Sequence, residues 1–271
     1  MSLAAGRQFF KLEALGNDFV LIDARRDRVD LDEQAITALA NRRTGVGFDQ
    51  LLVIETAQNG AWAGVSIFNA DASPAEQCGN GMRAIAAWLD RDGRLDCHRR
   101  LETPAGDVIL YPAVDAVYRT ELPGPSFIDP PWPALKPPPL PEAALDCELL
   151  STGNPHLVIV WPQPPGAEAL ALVAAAFDAD AQWRNRVNIG LMHVCADHSV
   201  ELRVHERGAG PTPACGSGAC AAAAVAIKRG LGMPPLAIRQ PGGVLVVDWM
   251  PGDDRICLTG PARVVFEGNI A

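Results

Sequence analysis

The sequence has no block of lysines and arginines, no long apolar run and no Cys-x-x-Cys, and each absence removes a class of function. With 23 basic against 32 acidic residues, a net charge of −9 and no basic cluster, the chain is not built to hold nucleic acid. Its longest apolar run, Ala219 to Ile227, is mostly alanine and stops at Lys228, well short of the roughly 18 residues that mark a membrane span. Arg7, Lys11, Glu13 and Asp18 interrupt the N-terminal region, so no export signal is expected there and no membrane partner. Seven cysteines, an odd number without such a signal, read as reduced thiols in a cytoplasmic protein and not as a disulfide framework. The missing Cys-x-x-Cys argues against thioredoxin-like exchange. Cys215 and Cys220 are spaced so that a helix turns them apart, which fits no zinc site, and no metal is expected. No lysine stands in a Gly/Ser-rich phosphate cup, so pyridoxal phosphate is not expected either. Hydrophobic content of 48% and charged content of 20% are ordinary globular values and exclude large-scale disorder.

What is present is a seam and a repeat. From Pro123 to Pro141 there are nine prolines in nineteen residues, a semi-rigid extended connector, because proline has no N–H for a ladder or helix interior. It divides 271 residues into two halves of small-domain size. Gly16-Asn17 precedes the apolar run Phe19–Ile22, and Gly153-Asn154 precedes Leu157–Val160. Cys78-Gly79-Asn80-Gly81 and Cys215-Gly216-Ser217-Gly218 each open a helical pattern. Asn69 and Glu206 fall in the same register, and all three correspondences share an offset of 137 residues. Several polar landmarks in one register imply an internal duplication.

Short β-branched runs between Gly, Pro and Asp clusters, such as Val244–Val247, read as strands. Met82–Leu89 reads as a helix stopping near Gly93. Ala219–Arg229 reads as a stronger one, with Gly230 as its stop and enough alanine to be buried centrally. A further helix is expected from Asp32 to Asn41, capped by Asp32 or Asp30.

The two Cys-Gly-x-Gly segments carry the chemistry. A helix entrance presents unpaired backbone N–H groups and about half a positive charge. A cysteine placed there has a larger thiolate fraction, and the adjacent glycines let an anion approach the backbone. Two such turns related by a repeat suggest paired thiols facing one site. Cys97, Cys147, Cys195, Cys220 and Cys257 read instead as small buried hydrophobes, and His205 as a strand residue.

Asn69-Ala70-Asp71 leading to Ala75-Glu76-Gln77-Cys78-Gly79-Asn80-Gly81, with Arg83, resembles the first active-site signature of the diaminopimelate epimerases. Glu206-Arg207-Gly208 leading to Thr212 and Ala214-Cys215-Gly216-Ser217-Gly218-Ala219-Cys220 resembles the second. Gly16-Asn17-Asp18-Phe19, Phe48-Asp49-Gln50, Gly153-Asn154-Pro155-His156 and Val187-Asn188 are similar to the remaining blocks, in order. Pro74 and Pro211 depart from the family's frequent acidic residues, Ala72 from its frequent glycine, and Met82 and Ile85 from its smaller residues. None of these removes a reacting group.

The resemblance implies a cofactor-independent epimerase that interconverts LL- and meso-diaminopimelate in lysine and peptidoglycan-precursor synthesis. Cys78 and Cys215 would act as a thiolate/thiol pair, and His156 and Glu206 would tune them. Asn17, Gln50, Asn69, Asn154, Asn188, Glu206 and Arg207 would bind substrate. The helix-terminal amides of Gly79-Asn80 and Gly216-Ser217 would hold the α-carboxylate. It also implies a homodimer. Other cofactor-independent enzymes of the same fold differ by motif: the proline racemases flank the first thiol differently, and PhzF-like isomerases lack the cysteine pair. A thiol-redox or anion-binding protein without turnover and a purely structural module are the remaining readings.

The expected fold is therefore α+β, with two structurally similar lobes, each a curved sheet or partial barrel around a central helix, and the active site in the cleft between them. The N-terminal lobe would span 1–122 and the C-terminal lobe 123–259, with a terminal strand at about 260–271 returning to the first lobe.

Overall fold

The computed structural model describes residues 6–27, 29, 31–128 and 139–270. The middle of the proline-rich connector and Asp30 lie outside the described residues. The first half of the chain forms β1 (Gln8–Ala14), β2 (Asn17–Asp23), α1 (Glu33–Ala40), β3 (Gln50–Glu55) and β4 (Ala63–Asn69), then α2 (Gly79–Arg91), β5 (Arg99–Thr103), β6 (Gly106–Leu110) and β7 (Val117–Pro123). There follow β8 (Ser126–Phe127), β9 (Asp146–Ser151), β10 (Pro155–Val160), α3 (Ala167–Ala179), β11 (Asn188–Val194) and β12 (Val200–Glu206). The chain ends with β13 (Gly210–Thr212), α4 (Gly216–Lys228), β14 (Leu236–Gln240), β15 (Gly243–Asp248), β16 (Arg255–Pro261) and β17 (Arg263–Asn269). Two compact units result: Met1–Leu122 with Thr259–Ala271, and Pro123–Leu258.

Each unit has the same topology. In the first, β17, β1, β2, β3, β4, β5 and β6 lie side by side, with β2/β3 and β4/β5 parallel and the other pairs antiparallel. In the second the order is β8, β9, β10, β11, β12, β14 and β15, with β10/β11 and β12/β14 parallel. Parallel neighbours need a crossover, and those crossovers are where α1, α2, α3 and α4 occur. The internal repeat is visible in the bounds: β4, α2 and β5 begin and end 137 residues before β12, α4 and β14. β8 starts 137 residues before β17, yet β8 pairs with β9 and β17 pairs with β1. Each half therefore contributes its last strand to the other half's unit.

The central strands, β2 and β3 in the first unit and β10 and β11 in the second, are buried on both faces along most of their length, which is why they read as unbroken apolar runs rather than alternations. Val20, Ile22 and Val53 pack with Ile36 and Leu39 of α1. Leu52, which neighbours them along β3, approaches Gly81 of α2. In the second unit Leu157, Ile159 and Ile189 pack with Leu170, Val173 and Phe177 of α3. α2 is buried from Gly79 to Leu89 and α4 from Gly216 to Ile227. The small residues of α4 let it lie against β9, β10, β11, β12, β14 and β15 at once.

The helix ends follow the local chemistry. Asp32 caps α1 by accepting from Ala35 N, and Gly93 and Gly230 stand at φ 64 and 68 after α2 and α4. α3 is the helix that the sequence reading lacked. Its N-cap is Gly166, which has no side chain to announce a start. The i, i+3, i+4, i+7 pattern of Leu170, Val173, Ala174 and Phe177 is its one legible signal. No helix among the described residues is long and apolar enough to cross a membrane.

Three of the five cysteines expected to be small buried hydrophobes are not. Cys97 is exposed, and Cys147 and Cys195 are half-buried, while Cys220 and Cys257 are buried.

Candidate active site

Cys78 and Cys215 are the N-cap residues of α2 and α4. Both have extended backbones, with φ −144 and ψ 97 at Cys78 and φ −119 and ψ 114 at Cys215. In each case the side chain turns back over the first turn. Cys78 Sγ accepts from Gly81 N at 3.2 Å and Cys215 Sγ accepts from Gly218 N at 3.4 Å. Sulfur thus takes the place that a serine or aspartate oxygen usually fills, and a hydrogen bond from a helix-terminal amide favours the thiolate. The last glycine of each motif keeps this approach open. A Cβ on Gly81 would lie 3.4 Å from Cys78 Sγ, and one on Gly218 3.3 Å from Cys215 Sγ.

Around Cys78 the first unit assembles a polar chain. Asn80 Nδ2 donates to Asn17 Oδ1 at 3.3 Å, and Arg83, fully buried, donates to Asn80 Oδ1 at 2.7 Å and to Gly79 O at 3.3 Å. Asn17 Nδ2 donates to Asp49 Oδ2 at 2.7 Å. Asp49 and Asp18 both accept from Arg42, and Asp18 also accepts from Lys11. Burial raises the Asp18 carboxyl, but hydrogen bonds and charge from Arg42 and Lys11 outweigh it and bring it down to about 2. Gln50 and Asn69 face each other across β3 and β4, with Gln50 Nε2 donating to Asn69 Oδ1 at 3.0 Å. Asn69 Nδ2 donates onward to Ser73 Oγ. Gln50 Oε1 is buried and accepts no hydrogen bond. Ala72, in the loop that follows, stands at φ 66, a left-handed turn that explains why glycine suits this position.

The second unit is organised around His156. Its Nε2 lies 3.0 Å from both Asn154 Oδ1 and Ser217 Oγ and 3.4 Å from Asn188 Nδ2. Ser217 Oγ is in turn 3.5 Å from Cys215 Sγ. Asn188 Oδ1 accepts from Arg207 N at 2.8 Å. Thr152 Oγ1 donates to Ser217 O. The imidazole is only 1% exposed. Burial, and secondarily the positive charge of Arg207, push it from its usual 6.5 down to about 3, so it is neutral across the biological range. His156 therefore acts on this cluster through hydrogen bonds, not as a cation. Glu206 ends β12, and its Oε1 accepts from Thr212 Oγ1 at 2.7 Å across the β12–β13 turn.

Within the first unit, then, Asn17 meets Asn80 and Gln50 meets Asn69. Within the second, Asn154, His156, Asn188, Arg207, Cys215 and Ser217 form one connected set, while Glu206 is tied to its own hairpin. The sequence reading assigned no role to Lys11, Arg42, Thr152, Ser73 or Gln240. Asp18, Asp49 and Arg83 stood in quoted motifs, but their supporting contacts were not foreseen. Gln240 contacts the Cys215 backbone twice, at N and at O, and no local pattern marks it.

The family model described as "Diaminopimelate epimerase" matches residues 9–117 and 149–265. A diaminopimelate epimerase of Nitrosospira multiformis is 38% identical, covering 97% of this chain and 98% of its own. Among solved structures, a hydroxyproline epimerase from Agrobacterium vitis superposes with a TM-score of 0.74 at 14% identity, over 100% of this chain and 92% of that one. A predicted epimerase from Pseudomonas aeruginosa does so with a TM-score of 0.70 at 19% identity, over 97% and 99%.

Proposed function

The chain belongs to the diaminopimelate epimerase family and is an isomerase, and from that premise we propose that it exchanges the α-proton of diaminopimelate by a two-base mechanism, with Cys78 and Cys215 as the two groups. One thiolate removes the proton from Cα, and the electron pair left behind delocalises toward the α-carboxylate. The other thiol then gives its proton to the opposite face of the same carbon. One proton leaves and one arrives, so the step needs no oxidant, metal or cofactor. The thiols exchange roles with the direction of reaction and titrate as a pair.

The observation that carries this reading is the equivalence of the two sulfurs. Each caps a helix at the same position of the repeat, and each accepts the amide three residues on. The first-turn amides of Gly79-Asn80 and Gly216-Ser217 are suited to hold the carboxylate as negative charge spreads into it. Asn17, Gln50, Asn69, Asn154, Asn188, Glu206 and Arg207 serve the remaining charged groups of the substrate. Gln50 Oε1, buried and unsatisfied, is the acceptor best suited to an ammonium group, since leaving such an oxygen unpaired costs about 1–3 kcal/mol. His156 and Glu206 tune the thiol side of the second unit, His156 through Ser217. The same reading places the enzyme in the cytoplasm as a homodimer, supplying lysine and peptidoglycan precursors.

The test is NMR of LL-diaminopimelate with enzyme in deuterated water under reducing conditions, without added cofactor. Deuterium should enter Cα as meso product accumulates, and Cys78→Ala and Cys215→Ala should each abolish turnover. A substrate that stays fully protonated would refute the assignment. Proline and hydroxyproline in the same assay would then separate a wrong substrate from a wrong chemistry.

A further inference from the structure

Gln240 ends β14 and is only 9% exposed. Its side-chain amide meets the main chain of Cys215 at both ends. Cys215 N donates to Oε1 at 2.8 Å, and Nε2 donates to Cys215 O at 3.3 Å. That carbonyl also accepts from Ala219 N at 2.9 Å, in the first turn of α4. The paired bonds reproduce the exchange between opposed residues of an antiparallel ladder, but here a side chain stands in for the second strand. The turn after β14 adds a third tie, from Gly242 N to Pro213 O at 2.8 Å.

We propose that Gln240 is a positioning residue for the Cys215 thiol, an inference that rests on the reading of Cys215 as one of the two proton-transfer groups. With the peptide groups on both sides of Cys215 anchored, its Cα–Cβ direction is set. Sγ is then held 3.4 Å from Gly218 N and 3.5 Å from Ser217 Oγ. The amide that favours the thiolate acts over a distance that a small backbone rotation would lengthen.

The other half of the chain separates this role from a structural one. Ala105 N donates to Glu76 O at 3.2 Å, which is the Gly242–Pro213 contact moved back by the repeat offset, so the fold brings the same turn to the same place in both units. The residue equivalent to Gln240 is Thr103, and its Oγ1 donates to Gly106 O at 2.6 Å. The turn can therefore be seated without a glutamine, and the position equivalent to Gln240 carries no amide to offer the first thiol.

The experiment compares the full-length chain with Gln240→Met, which keeps the volume and removes the amide, and with Gln240→Glu, which keeps an acceptor and loses the donor. Iodoacetamide alkylation is followed against pH at each cysteine by peptide mass spectrometry, beside kcat and KM for diaminopimelate. In Gln240→Met the Cys215 profile should move to higher pH, with alkylation near neutrality slowed roughly 3- to 10-fold and kcat reduced by a similar factor at little-changed KM. Gln240→Glu should fall between. The Cys78 profile, read in the same molecules, should not move. An unchanged Cys215 profile in Gln240→Met overturns the proposal, and so does an equal change at both thiols, which would mean a general loosening. If the unsubstituted chain does not exchange the diaminopimelate α-proton while the Cys215 profile still moves, the functional reading fails and the positioning of the thiol stands.

Discussion

Replacing Gly218 by alanine sets two opposing effects against each other at one atom. In a helix interior alanine is favoured over glycine by about 1 kcal/mol, and Gly218 lies in the first turn of α4, so this is the most that can be gained. Against it, the added Cβ would lie 2.9 Å from Val204 Cγ2. Val204 is 1% exposed, and its backbone is paired with Gly190 on one side and Thr212 on the other. A β-branched side chain on a pinned strand has little freedom to yield, and overpacking of this kind costs about 1–3 kcal/mol. The net expectation is a loss of about 0–2 kcal/mol. At the equivalent Gly81, the nearest atom to an added Cβ is Leu52 Cδ2 at 3.1 Å, the far end of a flexible side chain. Gly81→Ala should therefore be neutral or slightly stabilising. Urea unfolding of the two variants should rank Gly218→Ala the less stable, by up to about 3 kcal/mol. Alkylation should report the second consequence. The new Cβ stands 3.3 Å from Cys215 Sγ and displaces it from the Gly218 amide, so Cys215 should react several-fold more slowly near neutrality. Equal stability of the two variants, or Cys215 alkylation at the wild-type rate, would show that the glycines are not spacers for the thiols.

Acid should weaken the fold in two successive pH windows. His156 is held neutral while its unfolded counterpart protonates near 6.5, so stability is full above that value and falls as pH drops from about 6.5 to about 3, by at most about 1.4 kcal/mol per pH unit. His156→Gln should flatten this window in a plot of Tm against pH; an unchanged slope would show that the imidazole is not the group responsible. Asp18 shifts in the same direction, with a carboxyl depressed from 3.8 to about 2, and its contribution is lost only as pH falls through that lower range. Asp18→Asn should cost about 2–3 kcal/mol in urea unfolding at neutral pH, because it leaves buried Lys11 without its carboxylate; a loss below about 0.5 kcal/mol would place the pair among inconsequential surface ion pairs.

What was legible in the sequence was what the chain encodes locally. Gly16 and Gly153 stand at φ 85 and 94, a geometry that glycine adopts without strain, and so they survive as a repeated mark before β2 and β10. The Cys-Gly-x-Gly turns announce helix entrances because a capping side chain and a residue without Cβ are both needed within four positions. What was not legible depends on tertiary approach. Gln240 reaches Cys215 across 25 residues, with no periodicity linking them. The neutrality of His156 comes from burial beside Arg207, and neither is written next to it in the chain. Cys97 was misread because chemistry-free cysteines are usually buried, whereas this one is exposed and accepts from Arg99 Nη1 at 2.9 Å.

The duplication also explains why the framework is so much easier to read than the site. Strand pairings, crossovers and helix ends depend on apolar surface and backbone geometry, and these are the same demands in both halves, so α2 and α4 begin at equivalent residues. The side chains behind the two thiols face different demands. Asn80 is backed by the buried cation Arg83 and joined to Asn17, whereas its equivalent, Ser217, is joined to the uncharged imidazole of His156. A buried guanidinium and a buried neutral ring impose different local fields, and fields act strongly where water is excluded. In the proposed reaction one sulfur must hold a proton while the other lacks one, so identical surroundings would give the pair no preferred arrangement of that proton. The pairs 80/217 and 103/240 are among the positions where the halves differ, and at Ser217 and Gln240 the difference bears directly on Cys215.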